Sequence, residues 1–179
     1  MVALVGKPAP SFDMPAIMPN GETEQVRLEQ YRGKWVVLFF YPHDFTFVCP
    51  TEITALSTAY DRFANLGAEI IGVSTDSPHV HKAWIQQSPD KGGIGPINYP
   101  LASDWTHDVS RRYMVYVPEE GAAYRGLFII NPDGVVEYEV VHNLNVGRSV
   151  DETLRVLQAI QAGGLCPVDW TPGKPLLKV

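Results

Sequence analysis

The apolar and polar positions divide this chain into short strand-like runs separated by helical periods. "WVVLFFY", Trp35 to Tyr41, is an unbroken apolar run rich in β-branched and aromatic residues, bounded by Gly33 and Pro42, and it predicts a buried strand. Beyond it Ile53, Leu56, Tyr60 and Phe63 recur at steps of three and four, one face of an amphipathic helix that ends at Gly67. "AEIIGVSTD", Ala68 to Asp76, is a second buried strand. Ser77 and Pro78 then read as a helix cap followed by proline at the first helical position, opening a helix over "SPHVHKAWIQQ". "LFIINPDGVVEYEVV" predicts two strands joined by the type I turn sequence Asn131-Pro132-Asp133-Gly134, hence an antiparallel hairpin. Pro19 to Gly21 marks an earlier turn inside a small hairpin. Val150, Leu154, Leu157 and Ile160 give a last amphipathic helix, closed by Gly163 and Gly164, and the proline-rich tail "LCPVDWTPGKPLLKV" is expected to be irregular. Strand, helix and strand followed by a hairpin and a helix describe an α/β domain, a mixed central sheet with helices on its faces.

Composition acts mainly by exclusion. The 179 residues suffice for one domain with a proper core, and 45% hydrophobic against 19% charged residues describes a globular chain. A net charge of -6 and a pI near 5.3 argue against nucleic acid or an anionic membrane surface as the main partner. The longest apolar run is too short to span a bilayer, and "MVALVGKPAPSF" lacks the features of a signal peptide, so a cytoplasmic, reducing compartment is expected. There, two cysteines make no structural disulfide framework, and metal or redox roles gain weight. His79 and His81, two apart, face different sides of a helix and make a poor metal pair; all five histidines read as surface or packing residues.

The chemistry concentrates in "FYPHDFTFVCPTEI", Phe40 to Ile53. Cys49 stands where the strand's exit meets a helix start. Either Cys49 is the cap, with Pro50 first in the helix and Glu52 completing a capping box, or Thr46 is the cap and Cys49 lies in the first turn. In both arrangements the sulfur lies over unpaired N–H groups at the positive end of the helix dipole, where a thiolate is favoured. With no Cys-x-x-Cys and no cysteine-protease signature, peroxide reduction and hydrolysis are the two chemistries left open for Cys49.

"YPHDFTFVCPTEI" resembles the active-site segment of the peroxiredoxins, whose Pro-x-x-x-Thr/Ser-x-x-Cys pattern is met by Pro42, Thr46 and Cys49. The likeness continues through "GKPAPSF", "IIGVSTDS", "PLASDWTHDVSRRY", "YRGLFIINPDG" and "NVGRSVDETLRVLQAIQ". "CPVDWTPG" resembles the segment around the second cysteine of the typical two-cysteine subgroup, related to alkyl hydroperoxide reductase C. The ordered set, with both cysteines in place, is specific.

The resemblance implies a thioredoxin-like fold over residues 1–162 and a C-terminal tail, 163–179, carrying a resolving cysteine. It implies a thiol peroxidase acting on hydrogen peroxide and organic hydroperoxides in antioxidant defence, with no cofactor. Cys49 would be the peroxidatic thiolate, oxidised to a sulfenic acid. Arg125 would stabilise that thiolate and polarise the departing oxygen, and Thr46 would hydrogen-bond thiolate and peroxide. Pro42 would shield the pocket, Glu52 would orient Arg125, and Arg148 would be a second arginine in the network. Cys166 would resolve the sulfenic acid across a homodimer as an intersubunit disulfide, which a thioredoxin-like protein or a flavoprotein reductase would reduce; the family also forms decamers of dimers. "GGIG", Gly92 to Gly95, resembles a loop of peroxiredoxins that overoxidise easily, while the C-terminal Tyr-Phe helix that accompanies it is missing from this sequence, so a peroxide-robust enzyme is expected. Val168, Asp169 and Thr171 depart from the subgroup's usual residues and bear on which reductase serves. Family members also act as chaperones or redox-signalling scaffolds, the alternative reading.

Overall fold

The run that begins at Trp35 forms strand β3 (Trp35–Phe40), buried everywhere but at its first residue. It is an interior strand of a seven-stranded mixed sheet in the computed structural model of the chain, which describes residues 3–178. On one side β3 pairs in parallel with β4 (Ala68–Ser74), which pairs in parallel with β5 (Leu101–Ser103). Beyond β5 lie β1 (Asp13–Ile17) and β2 (Thr23–Arg27), an antiparallel hairpin whose turn contains Pro19 to Gly21. On the other side β3 pairs antiparallel with β8 (Arg125–Ile130), and β8 with β9 (Val136–His142).

The alternation of a strand explains the layers. Val36, Leu38 and Phe40 join Ile71, Val73 and Phe128 in a core on one face, where Val109 and Tyr113 bring in α4 (Asp108–Arg112). On the other face the Phe39 ring meets Tyr99 edge-on at 5.7 Å, and Tyr41 lies 6.3 Å from Trp84 of α3 (Pro78–Gln86). Covered on both faces, β3 reads in sequence as a continuous apolar run rather than an alternating one.

The predicted caps and turns that lie outside the active-site loop form. Ser77 Oγ accepts from the Val80 N–H ahead of α3, and the Asn131 carbonyl accepts from Gly134 N–H at 2.8 Å in the β8–β9 turn, with Gly134 at φ 79°. The helix expected through Phe63 differs. It is two segments, α1 (Cys49–Thr58) and α2 (Tyr60–Ala64), broken at Ala59. The hydroxyls of Thr54 and Thr58 donate to carbonyls four residues back, at 2.7 and 2.9 Å, a pattern that bends helices. The three-residue β5, α4 and the two-residue pair β6 (Tyr116–Val117) and β7 (Ala122–Ala123) are too short to announce a period.

Residues 1–148, holding the whole sheet, form one compact unit; residues 149–179 form a second. In the second unit α5 (Val150–Gln161) starts at Ser149, whose hydroxyl accepts from Glu152 N–H at 3.1 Å. The tail is more ordered than its prolines suggest. Leu177 N–H donates to the Leu165 carbonyl at 2.9 Å, Trp170 Nε1 to the Lys174 carbonyl at 2.9 Å, and Arg155 Nη1 to the Trp170 carbonyl at 2.9 Å. These are turns and one isolated bridge, which no periodicity reports. Among the described residues no helix is long and apolar enough to cross a membrane.

Candidate active site

Strand β3 delivers the chain to the carboxyl edge of its parallel pair with β4, where open α/β sheets place their ligands. The connection Tyr41–Val48 leads into α1, whose first residue, Cys49, is fully buried. Neither predicted cap forms. Val48 precedes the helix without a side-chain cap bond, and Pro50 is its second residue. Thr46 Oγ1 donates to the His43 carbonyl at 2.9 Å instead of capping, and Glu52 turns away from the helix end towards two arginines. A carboxylate buried beside guanidinium groups gains more from them than from one backbone N–H.

The sheet brings Arg125 to the sulfur. Because β8 runs antiparallel to β3 with Leu127 opposite Phe39, Arg125, two residues earlier, reaches past the end of β3. Its Nη1 lies 3.3 Å from Cys49 Sγ and 2.7 Å from Glu52 Oε2, and its Nε donates to the Leu144 carbonyl at 2.7 Å. Arg148, in the segment after β9, places Nε on Glu52 Oε1 at 2.7 Å and Nη2 on Oε2 at 3.0 Å. Its Nη1 donates to the carbonyls of Phe40 and Gly126, and its guanidinium stacks 5.3 Å from the Phe39 ring.

The electrostatics follow from counting charges. Two guanidinium groups share one carboxylate, and the side chains of Arg125, Arg148 and Glu52 are only 3%, 6% and 5% exposed. One positive charge remains uncompensated, and the α1 N-terminus adds potential of the same sign beside Cys49. Burial pushes the Glu52 carboxyl up, but the hydrogen bonds and charge of Arg148, with the charge of Arg125, hold it below its ordinary value. Such a site can stabilise an anionic sulfur and negative charge developing on an oxygen bound to it.

Of the seven residues singled out in sequence, Cys49, Glu52, Arg125 and Arg148 meet in this cluster, and Pro42 and Thr46 lie on the loop that leads into it. Cys166 belongs to the second unit. Its partly buried thiol donates to the Ala159 carbonyl at 3.4 Å, in a cleft of about 510 Å³ lined also by Arg155, Ile160, Pro167 and Asp169. Both thiols are free. Sequence reasoning passed over Asp44 and read His81 only as a surface or packing residue; the two meet at 2.7 Å with no exposure at either side chain. The available signal was a carboxylate between "FYPH" and "FTFV", which cannot be buried there without a partner. Among the described residues no three His, Cys, Asp or Glu side chains gather as a metal ion would need.

Residues 5–139 match the AhpC/TSA family. A Bacillus subtilis protein whose name assigns it provisionally to the peroxiredoxins is 57% identical over 176 residues, 97% of this chain and 98% of its own length. Peroxiredoxin-2 of Cricetulus griseus is 51% identical over 180 residues, 98% of this chain and 90% of its own. Among solved structures, the reduced 2-Cys peroxiredoxin of Plasmodium vivax superposes with a TM-score of 0.95 at 42% identity, over 97% of this chain and 92% of that one. That likeness identifies the seven-stranded sheet and its helices as a peroxiredoxin's thioredoxin-like fold.

Proposed function

This chain belongs to the AhpC/TSA family and is a thiol peroxidase of the 2-Cys peroxiredoxin kind, and from that premise we propose how its residues divide the work. Cys49 is the peroxidatic nucleophile. Its thiolate attacks one peroxide oxygen, an S–O bond forms as the O–O bond breaks, and the departing oxygen takes a proton and leaves as water or alcohol. The sulfur is oxidised by two electrons to a sulfenic acid and the peroxide is reduced by two. The observation that carries this reading is Arg125 Nη1 at 3.3 Å from Cys49 Sγ inside a cluster of net positive charge. Arg125 stabilises the thiolate and then the leaving oxygen; Glu52 and Arg148 hold Arg125 in place. Thr46, whose proton is committed to the His43 carbonyl, keeps lone pairs with which to accept from the peroxide, and Pro42 limits access of water.

Cys166, carried by the segment 163–179, is the resolving cysteine. The thiolate of Cys166 of the partner subunit attacks the sulfenic sulfur; an S–S bond forms as the S–O bond breaks, and the departing oxygen takes a proton and leaves as water. The start of α1 must unwind for the two sulfurs to come within bonding distance. A thioredoxin-like protein or a flavoprotein reductase then returns two electrons. The working unit is a homodimer, which can build a decamer, and a reducing cytoplasm would supply the reductant.

The test is a non-reducing gel of the reduced protein after one equivalent of hydrogen peroxide, beside Cys166→Ser. A covalent dimer that dithiothreitol reverses, absent in the variant, is the expected result. A wild-type protein that stays monomeric on the gel removes Cys166 from the role of partner-subunit resolver.

A further inference from the structure

The loop between β3 and Cys49 is held by groups that take no part in the arginine cluster. The buried Asp44 carboxylate accepts from the Tyr41 hydroxyl at 2.7 Å and meets His81 Nδ1 at 2.7 Å, while His81 Nε2 lies 3.2 Å from the Ala102 carbonyl. A second carboxylate, Asp76, accepts from the Asp44 backbone N–H at 2.9 Å and from the Ser74 hydroxyl at 2.7 Å, and it faces His43 at 3.8 Å. The next residue, Phe45, has φ 54°, a left-handed backbone that strains any bulky side chain and persists only where its surroundings impose it. Its ring lies 5.8 Å from Trp84. Consecutive loop residues Asp44 and Phe45 thus engage His81 and Trp84, three positions apart on one face of α3.

Both ring nitrogens of His81 face oxygens that have no proton of their own when Asp44 is ionised. Each contact therefore needs a proton, so the pair exists as imidazolium with carboxylate or as imidazole with carboxylic acid, neutral overall in either form. Burial, which pushes the Asp44 carboxyl up, favours keeping that proton. A buried pair of this kind adds little stability compared with apolar packing; what it can supply is one defined conformation.

We infer that Asp44 and His81 are positioning residues for the peroxidase reaction: their buried contact pins the strained Tyr41–Val48 loop to α3, keeping Thr46 and Pro42 set for the attack by Cys49 and resisting the opening that resolution requires. The inference rests on the roles given above to Cys49 and Cys166. It has a signature that fold damage lacks. Releasing the loop slows sulfenic acid formation, yet speeds the attack by Cys166 of the partner subunit relative to the competing second peroxide, which would oxidise the sulfenic acid to sulfinic acid. The enzyme then reacts more slowly and survives more peroxide.

The experiment compares the wild type with Asp44→Asn, Tyr41→Phe, His81→Ala and His81→Asn, the last returning a donor near the Nδ1 position. Stopped-flow tryptophan fluorescence gives the rate of the reduced protein with hydrogen peroxide; mass spectrometry, during turnover with dithiothreitol, gives the peroxide dose that makes half of Cys49 sulfinic. Asp44→Asn is expected to slow the attack about tenfold and to raise that dose several-fold. Tyr41→Phe, which removes one hydroxyl and keeps the ring, moves both in the same directions by less, and His81→Asn recovers part of what His81→Ala loses. Should Asp44→Asn fail to fold, Tyr41→Phe decides. Rates and doses within about twofold of wild type, or a slower attack with a lower or unmoved dose, overturn the inference. A wild type that forms neither sulfenic acid nor covalent dimer overturns the underlying reading instead.

Discussion

Arg125 Nη1 stands 3.3 Å from the sulfur of Cys49, and the same nitrogen is held 2.7 Å from Glu52. The contact depends on the planar fork of a guanidinium, because Nε is committed in the same plane to the Leu144 carbonyl. Arg125→Lys keeps the charge and loses the fork. Its rate with hydrogen peroxide, read by stopped flow, is expected to fall by about 10²–10³, the size of losing an oriented donor to developing charge.

Glu52 makes the site sensitive to acid. Its folded value lies below the ordinary 4.5, so the stability it contributes is complete above 4.5 and is lost as pH falls through the lower folded value. A thermal melt across pH should therefore show this contribution constant at neutral pH and lost only below about 4.5, in a window that Glu52→Gln lacks. At pH 7 the same variant leaves two buried guanidinium groups uncompensated, at a cost of about 3–5 kcal/mol. A variant as stable as the wild type at pH 7 would contradict that charge count.

For Thr46 the prediction separates hydroxyl from shape. Thr46→Val keeps the volume but removes the acceptor that orients the peroxide and should lower the peroxide rate by about 10², whereas Thr46→Ser retains the hydroxyl and most of the rate. A loss in Thr46→Ser with none in Thr46→Val would assign the effect to the methyl group's packing instead.

Gly93 sits in the loop that follows α3, tied down by Trp84 Nε1, which donates to the Gly92 carbonyl at 3.0 Å. A Cβ at Gly93 would collide with the carbonyl of Gln87, a backbone atom that cannot swing aside. Gly93→Ala is expected to cost about 1–3 kcal/mol. Differential scanning calorimetry should then show a melting temperature lower by about 2–4 °C for each kcal/mol.

What was legible in the sequence is what local chemistry writes down. The buried run at Trp35, the Ser77-Pro78 start of α3 and the Asn131–Gly134 turn each carry their own signal within a few residues. The arginine cluster was legible only through resemblance, since nothing local says that Arg125 and Arg148 converge on Glu52 from 73 and 96 positions away. The cap at Cys49 misled for the same reason: Glu52 has the right spacing for a capping box, and a long-range ion pair takes it. The pairing of Asp44 with His81 escaped notice because the two lie 37 positions apart, across the sheet-to-helix crossing, and nothing local to either names the other.

Those separations bear on the history of each molecule as it is made. Cys49, Glu52, Arg125 and Arg148 come together only when β8 has paired with β3 and the segment after β9 has closed on Glu52. A chain emerging from the ribosome carries Cys49 long before either arginine has been synthesised, and an unfolded chain carries it with both arginines dispersed in water. The reactive centre is therefore a product of completed folding, and a nascent or misfolded copy offers peroxide only an ordinary thiol. Quality control and chemical activation are the same event in this protein.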